Sequence, residues 1–258
     1  MKLAVFSDVH GNLTALQTVL AAIDAAAPDE IWMLGDLAAN GARPNDCITV
    51  IRERHTADEK RFRVIGGNTD RYLIHNARPT VFQPLKEETD WGRLQIEYQF
   101  LDASLAWARS QLTWENVEFL TKIVHRELER EVDGYGVVMG YHAIPGDDEV
   151  NIKPDSPNEA VLDSVLDRTG RLGIYGHTHI QMNRQVGRIH LVNPGAVSMS
   201  FEKPGHAQYG LFTFEGGDVQ VELFNLPYDV DAEVAVLEAN KFPYPSFIEN
   251  VMRKGSPF

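Results

Sequence analysis

Two hydrophobic patterns take turns along this chain. Leu3 to Ser7, Ile31 to Leu34 and Arg63 to Ile65 are short apolar runs that read as buried strands. Between them, Asn12 to Ala27 sets Leu13, Leu16, Leu20 and Ile23 at helical spacing until Pro28 stops it, and Asn45 to Arg54 reads as a second helix. Alternating strands and helices predict parallel βαβ units. From about Arg71 to Lys122 the chain becomes polar, aromatic and helical in pattern, so 71–122 is read as a helical insertion or cap over one edge of the sheet. Its tryptophans, Trp91, Trp107 and Trp114, are read as helix packing rather than as stacking platforms. Strand patterns return at Val137 to Gly140 and Leu172 to Tyr175. Gln181 to Arg184, Arg188 to Val192, Tyr209 to Phe214 and Val219 to Phe224 follow, separated by glycine-bearing turns that imply antiparallel hairpins. Asp229 to Asn240 is a closing helix, and 241–258, with Pro243, Pro245 and Pro257, reads as an irregular tail on a single domain spanning 1–258.

Composition narrows the classes. A chain of 258 residues that is 43% hydrophobic is that of a globular α/β domain, not of a disordered or fibrous one. The 37 acidic against 24 basic side chains give a net charge of −13, which repels nucleic-acid backbone and anionic membrane. Long nucleic acid and membrane are therefore excluded as partners. A small anionic substrate is not, because bound divalent cations reverse the local field. Cys47 is the one cysteine, so no internal disulfide can form, and no apolar stretch approaches the roughly 20 residues that cross a bilayer. A cytoplasmic location is the expectation, with the oligomeric state left open.

The candidate chemistry sits where strand patterns stop. Val5-Phe6-Ser7-Asp8-Val9-His10, Met33-Leu34-Gly35-Asp36, Val64-Ile65-Gly66-Gly67-Asn68, Val138-Met139-Gly140-Tyr141-His142 and Ile174-Tyr175-Gly176-His177-Thr178-His179 each follow an apolar run at once with ligand-type residues. Ligands of parallel α/β sheets bind beyond the carboxyl ends of the strands, so neighbouring strands would bring these clusters to one site. Carboxylate, imidazole and amide oxygen suit hard or borderline divalent ions. Asp8 and His10 are expected to alternate along an extended segment and so to point the same way, as are His177 and His179. The carboxylate of Asp36 has two oxygens with which to bridge a pair of ions. Each piece alone has an ordinary structural use, Asp8 as a helix cap or Gly35-Asp36 as a turn; their joint occurrence does not.

In this order the residues resemble the calcineurin-like metallophosphoesterase superfamily, most closely its compact bacterial phosphodiesterase and phosphatase branch. The matching motifs are Asp8-Val9-His10, Gly35-Asp36, Gly67-Asn68-Thr69-Asp70, the lone His142 and Gly176-His177-Thr178-His179, with Gly11-Asn12, Asn193-Pro194-Gly195-Ala196-Val197 and Tyr209 beside them. The resemblance implies a four-layer αββα sandwich of two mixed β-sheets flanked by helices. It implies one metal held by Asp8, His10, Asp36 and His179, and a second held by Asp36, Asn68, His142 and His177. A hydroxide bridging the two metals would then attack phosphorus. Mn²⁺ is the first expectation for both ions, with Fe, Zn, Ni or Mg as alternatives. By the same resemblance Asp36, Asn68, Thr69 and Asp70 are catalytic, while Asn12, Asn68 and His142 contact substrate.

One position departs from the pattern. The family usually has histidine where this chain has Thr69, a residue that would protonate the leaving oxygen with Asp70 orienting it. Threonine cannot act as an acid near neutral pH, so esters with good leaving groups are the expected substrates. The function read here is metal-dependent hydrolysis of a small phosphate ester or nucleotide-like substrate. Its rivals are a dinucleoside polyphosphate hydrolase and a non-catalytic binding scaffold with the same fold. Outside the motifs, Asp147-Asp148-Glu149 reads as a solvated loop, and Ser198 to Gln208, with Lys203 and His206, as an exposed one.

Overall fold

The computed structural model describes residues 1–80, 87–165 and 170–258. In chain order the elements are β1 (Lys2–Phe6), α1 (Leu13–Ala26), β2 (Glu30–Leu34), α2 (Pro44–Ala57), β3 (Phe62–Ile65), α3 (Asn68–His75), α4 (Glu88–Gln111), α5 (Trp114–Ile123), β4 (Leu128–Val132), β5 (Gly136–Tyr141), α6 (Asn158–Val165), β6 (Leu172–Tyr175), β7 (Met182–Val186), β8 (Ile189–Asn193), β9 (His206–Glu215), β10 (Asp218–Pro227), α7 (Val230–Ala239) and α8 (Pro245–Lys254). The strands form two mixed five-stranded sheets, ordered β10-β9-β1-β2-β3 and β4-β5-β6-β8-β7. In the first sheet β1, β2 and β3 run parallel, and β9 returns antiparallel beside β1. In the second, β5, β6 and β8 run parallel, with β4 and β7 antiparallel at the edges.

Three apolar layers hold the sandwich together. Between the sheets, Val5, Trp32, Leu34 and Ile65 meet Val138, Leu172, Ile174 and Val192. Strands buried on both faces read as continuous apolar runs, as β1 and β2 do. Outside the first sheet α1, α2, α3, α4 and α5 pack through residues such as Leu16, Ile48, Tyr72, Leu105 and Leu120. Outside the second, α6 packs Val161 and Val165 against Met139, Tyr175 and Leu191. The expected αββα sandwich is the fold observed.

Several elements differ from the sequence reading. The segment read as a tail carries α8, whose Ile248, Val251 and Met252 are buried. Proline misled there: Pro245 stands in the first helical turn, where its missing N–H costs nothing and its fixed φ suits a helix start. Gly66-Gly67 turns the chain after β3, but Asn68 is already the first residue of α3. The insertion is two helices, α4 and α5; residues 81–86 of the stretch read as a cap lie outside the described residues. Trp107 packs edge-on against Phe242, while Trp91 and Trp114 are exposed.

Candidate metal centre

Strand ends deliver every ligand-type residue to one crown. β1 leads to Asp8 and His10, β2 to Asp36, β3 to Asn68, β5 to His142, and β6 to His177 and His179. Backbone hydrogen bonds lace the loops: Asp8 N donates to Gly35 O (3.0 Å), His10 N to Asp36 O (2.9 Å), Gly176 N to His142 O (2.8 Å) and Ser198 N to Asp8 O (2.9 Å). The D-x-H and H-x-H segments are not extended, contrary to the expectation from the sequence. Asp8, His10, Asp36, His177 and His179 each hold a left-handed backbone, with φ between 48° and 65°. Such backbone in residues with a Cβ is costly and persists only where the surroundings over-determine it, which is typical of functional sites. Glycine is needed where loops press together: a methyl on Gly67 would collide with the Asp36 carboxylate and the His142 ring, and one on Gly176 with Ser7 Oγ and the Asp8 carboxylate.

The imidazoles are oriented by backbone carbonyls. His10 Nδ1 lies 3.0 Å from Ala39 O, His179 Nδ1 3.0 Å from Met199 O, and His142 Nδ1 2.7 Å from Leu34 O. His177 is turned the other way, with Nε2 3.1 Å from Glu149 O. A carbonyl accepts only, so each contact places the ring proton there and leaves the opposite nitrogen as a lone pair. Those lone pairs face one another. His10 Nε2 and His179 Nε2 are 3.1 Å apart, while Asn68 Oδ1 lies 3.0 Å from His142 Nε2 and 3.1 Å from His177 Nδ1. Facing lone pairs repel in neutral rings, and a shared cation relieves that repulsion.

The carboxylates complete both sets. Asp8 Oδ1 is 3.4 Å from His179 Nε2 and 3.9 Å from His10 Nε2, and Asp36 Oδ2 is 3.6 Å from both His10 Nε2 and His142 Nε2. Their second oxygens are occupied: His177 N donates to Asp8 Oδ2 and Thr69 N to Asp36 Oδ1, each at 2.9 Å. Asp8 Oδ1 is buried without a hydrogen-bond donor among the described residues. Donor atoms of Asp8, His10 and His179, and of Asp8, Asp36 and His142, fall within 4.8 Å of one another. A buried anionic oxygen without a donor, beside converging nitrogen lone pairs, fits divalent cations. Burial works to raise the carboxyl pKa of Asp8, yet the neighbouring His179, with His142 and His10, holds it well below the usual range. Burial pushes His177 down to about 4, reinforced by His142.

Other expected site residues take different places. Asn12, expected to contact substrate, caps α1: Oδ1 accepts from Ala15 N at 2.9 Å and Nδ2 donates to Ser198 Oγ at 3.2 Å. Its amide is thus committed to the fold. Asp70 directs its carboxylate into the backbone, accepting from Gly67 N (3.0 Å) and Leu37 N (3.0 and 3.2 Å), which brackets the loops after β2 and β3. Burial, then the charge of Asp36, raises its pKa to about 7. Thr69 is buried and its Oγ1 has no hydrogen-bond partner among the described residues.

One contributor escaped the sequence reading. Glu149, read as part of a solvated loop, is 5% exposed. Its carboxylate accepts from Arg71 Nη2 (2.6 Å), Tyr72 Oη (2.8 Å), Thr80 N (2.7 Å) and Thr80 Oγ1 (2.6 Å). That network anchors the backbone carbonyl that orients His177. A buried acid inside an acidic run has no distinguishing pattern; its proximity to His142 in sequence was the only signal.

Two cavities flank the centre. The one of about 360 Å³ bordered by Arg71, Asp148 and Glu149 touches only His142 among the ligand-type residues. The other, of about 370 Å³, exposes His10, Asp36, Asn68, His177 and His179 together with Thr69, and is the one that opens on the donor atoms. Its far wall is Phe100 from α4, Phe201, and Phe247, Ile248 and Val251 from α8.

The model of the calcineurin-like phosphoesterase superfamily domain matches residues 1–217. The chain belongs to that superfamily. The calcineurin-like phosphoesterase match supports metal-dependent phosphoester hydrolysis in general, and the buried Asp and His groups are its candidate metal donors. The chain is 26% identical over 260 residues, 93% of each protein, to uncharacterized protein MJ0912 of Methanocaldococcus jannaschii. It is also similar in fold to two solved structures. A metallophosphoesterase from Sphaerobacter thermophilus superposes with a TM-score of 0.71 at 21% identity, covering 100% of this chain and 99% of that one. Hypothetical protein PH1004 from Pyrococcus horikoshii OT3 superposes with a TM-score of 0.78 at 18% identity, covering 99% and 98%. No helix among the described residues is long and apolar enough to cross a membrane.

Proposed function

We propose that the chain hydrolyses small phosphate esters at a two-metal centre, with Asp8, His10, Asp36 and His179 holding one divalent ion and Asp36, Asn68, His142 and His177 the other. The observation that carries this reading is Asp36 Oδ2, equidistant at 3.6 Å from His10 Nε2 and His142 Nε2, one nitrogen of each set. An oxygen so placed adjoins both donor sets, so Asp36 would serve both ions when they are bound. Mn²⁺ is the first candidate because mixed carboxylate, imidazole and amide donors without thiolate favour hard or borderline ions. When bound, such ions supply Lewis acidity toward the phosphoryl oxygens and a water acidic enough to be a nucleophile at neutral pH.

The chain's own residues do the rest. Backbone carbonyls of Ala39, Met199, Leu34 and Glu149 fix each ring, so the donor set needs no rearrangement. Thr69 lines the cavity, and its buried Oγ1 has no hydrogen-bond partner among the described residues; a hydroxyl can donate a hydrogen bond but cannot serve as an acid near neutral pH. Esters whose leaving group needs no proton, such as aryl phosphates, are therefore the expected substrates. The net charge of −13 speaks against long nucleic acid, and a cytoplasmic enzyme acting on small molecules is the matching picture.

The test uses the Mn²⁺-loaded chain and bis(p-nitrophenyl) phosphate. Turnover should be lost with a chelator and should fall by at least about a thousandfold, ~4 kcal/mol of barrier, in Asp36→Ala. A fully active Asp36→Ala variant, or a metal-loaded wild type inert toward aryl mono- and diesters, would refute the proposal and favour a binding scaffold.

A further inference from the structure

The cavity over the donor atoms has an unusual balance of side chains. Apart from the ligand-type residues themselves, its one ionisable lining residue among the described residues is Glu97, whose charge Arg93, one turn earlier on α4, partly offsets; no Lys or Arg among the described residues lines it. Opposite the donors stands an aromatic wall. The rings of Phe100 and Phe247 stack 4.0 Å apart at 12°, and the ring of Phe201 lies 5.1 Å from that of His179 at 15°. Phe201 remains 46% exposed. Its place is set from both sides: Met199, at φ 60°, turns its carbonyl to His179 Nδ1, and Phe201 N donates to His179 O at 3.4 Å. An apolar ring is thus held flat beside a metal-type histidine, in water, by the same loop that orients that histidine.

We infer that this cavity selects phosphate esters whose organic group is aromatic or otherwise apolar and carries no negative charge, with Phe201 and Phe247 receiving that group and Glu97 excluding anions; the inference rests on the phosphoesterase reading above and names its substrate class. A phosphoryl group held at the donor atoms directs its ester substituent into the cavity that opens on them, against these rings. A flat, uncharged substituent removes the exposed face of Phe201 from water and gains offset stacking. A nucleoside polyphosphate would instead bring further phosphates, which proteins meet with Arg, Lys or free helix N-termini. Among the described residues the cavity lining offers no Arg or Lys. The N–H of Gly67, beside the N-terminus of α3, is taken by Asp70 and that of Thr69 by Asp36. Glu97 would repel the extra charge. At about 370 Å³ the space also sits at the low end of the roughly 300–1,000 Å³ typical of small-molecule sites, which suits one ester group rather than two nucleosides.

Calorimetry on the Mn²⁺-loaded full chain, with phenylphosphonate and methylphosphonate as non-hydrolysable probes, tests this apart from turnover. The wild type should bind phenylphosphonate about tenfold more tightly, the scale of one aromatic contact. In Phe201→Ala and Phe247→Ala that ratio should fall toward one, and Phe201→Leu, which keeps an apolar side chain, should lie between. Glu97→Gln should raise affinity for 4-carboxyphenylphosphonate severalfold relative to phenylphosphonate. Equal binding of the two probes by the wild type, binding of neither, or a ratio unchanged in a folded Phe201→Ala variant overturns the assignment. Selective binding without hydrolysis of phenyl p-nitrophenyl phosphate would sink the phosphoesterase reading and leave the cleft standing. Hydrolysis of phenyl and methyl p-nitrophenyl phosphate at equal kcat/KM would do the reverse.

Discussion

On the sheet side of the cavity, seven polar residues are fixed by short loops at the ends of buried strands, and each imidazole is pinned by a carbonyl. On the helical side, Phe100 and Phe247, from α4 and α8, meet through side-chain packing, and Phe201, in the loop after β8, completes the wall with its backbone N donating to His179 O. The first wall stores backbone strain in five left-handed residues; the second shows none at its aromatic positions. Preorganised donors cannot shift without breaking the hydrogen bonds between loops, so that wall sets which chemistry is possible. Packed side chains can be exchanged at modest cost while volume is kept, so the other wall is free to set which ester fits. On the proposed function, chemistry and selectivity would be separated on opposite faces of one cavity.

The largest expected effect probes the donor wall at Thr69, where the resemblance implies a histidine. Thr69→His should add a general acid beside Asp36 and raise turnover of an alkyl phosphodiester, by up to about 10²–10⁴-fold, with much less change on an aryl diester. Steady-state rates on methyl and aryl esters measure it. A variant that binds metal normally yet gains nothing on the alkyl ester would show that leaving-group acidity is not what limits this centre.

Next in size is Glu149→Ala, at a side chain outside the proposed donor set. Removing the acceptor of Arg71, Tyr72 and Thr80 frees the carbonyl that fixes His177. Affinity for one of the two Mn²⁺ ions should drop about 10–100-fold, the usual cost of losing a partner that orients a ligand. Titration calorimetry would show two unequal sites in place of the wild-type pattern, and unchanged affinities for both ions would remove Glu149 from the centre. Ile248→Ala tests the other wall. Ile248 is buried on α8 and faces the cavity, so truncation should cost about 2–4 kcal/mol of stability and loosen the aromatic wall. Metal stoichiometry should stay at two. If Ile248→Ala perturbs metal binding as strongly as Glu149→Ala does, the two walls are one unit and their separation is wrong.

The same division explains what the sequence revealed. Apolar runs ending in Asp, His or Asn mark strand ends because burial on both faces forces the run, and chemistry forces the residue that follows. The two sheets and the ligand crown were legible for that reason, although the left-handed backbone at Asp8, His10, His177 and His179 was not. Carbonyl partners such as Ala39 O and Met199 O leave no trace in residue type. Nor does the aromatic wall: Phe100 and Phe247 are far apart in the chain, and the latter lies in a helix disguised by the prolines around it. Asn12 shows the converse, since a residue adjoining a motif has its side chain engaged in capping α1.

The smallest effect is visible only against pH. Burial alone would raise the carboxyl pKa of Glu149, but hydrogen bonds from Thr80, Tyr72 and Arg71 outweigh it and hold it at about 2, below its ordinary 4.5. An acid depressed in the folded state binds its proton more readily when unfolded. Its contribution is therefore complete above about pH 4.5 and is lost as pH falls toward about 2. Urea unfolding of wild type and Glu149→Gln, both in chelator so that metal release does not enter, isolates this contribution as a difference between two curves. Wild type should be the more stable above pH 5, with the gap closing as acid is added. Phe201→Ala, on the opposite wall, should differ from wild type by an amount that does not vary over the same range. Parallel curves for Glu149→Gln would mean that Arg71, Tyr72 and Thr80 hold the loop equally well without its charge, and that the donor wall owes its rigidity to backbone contacts alone.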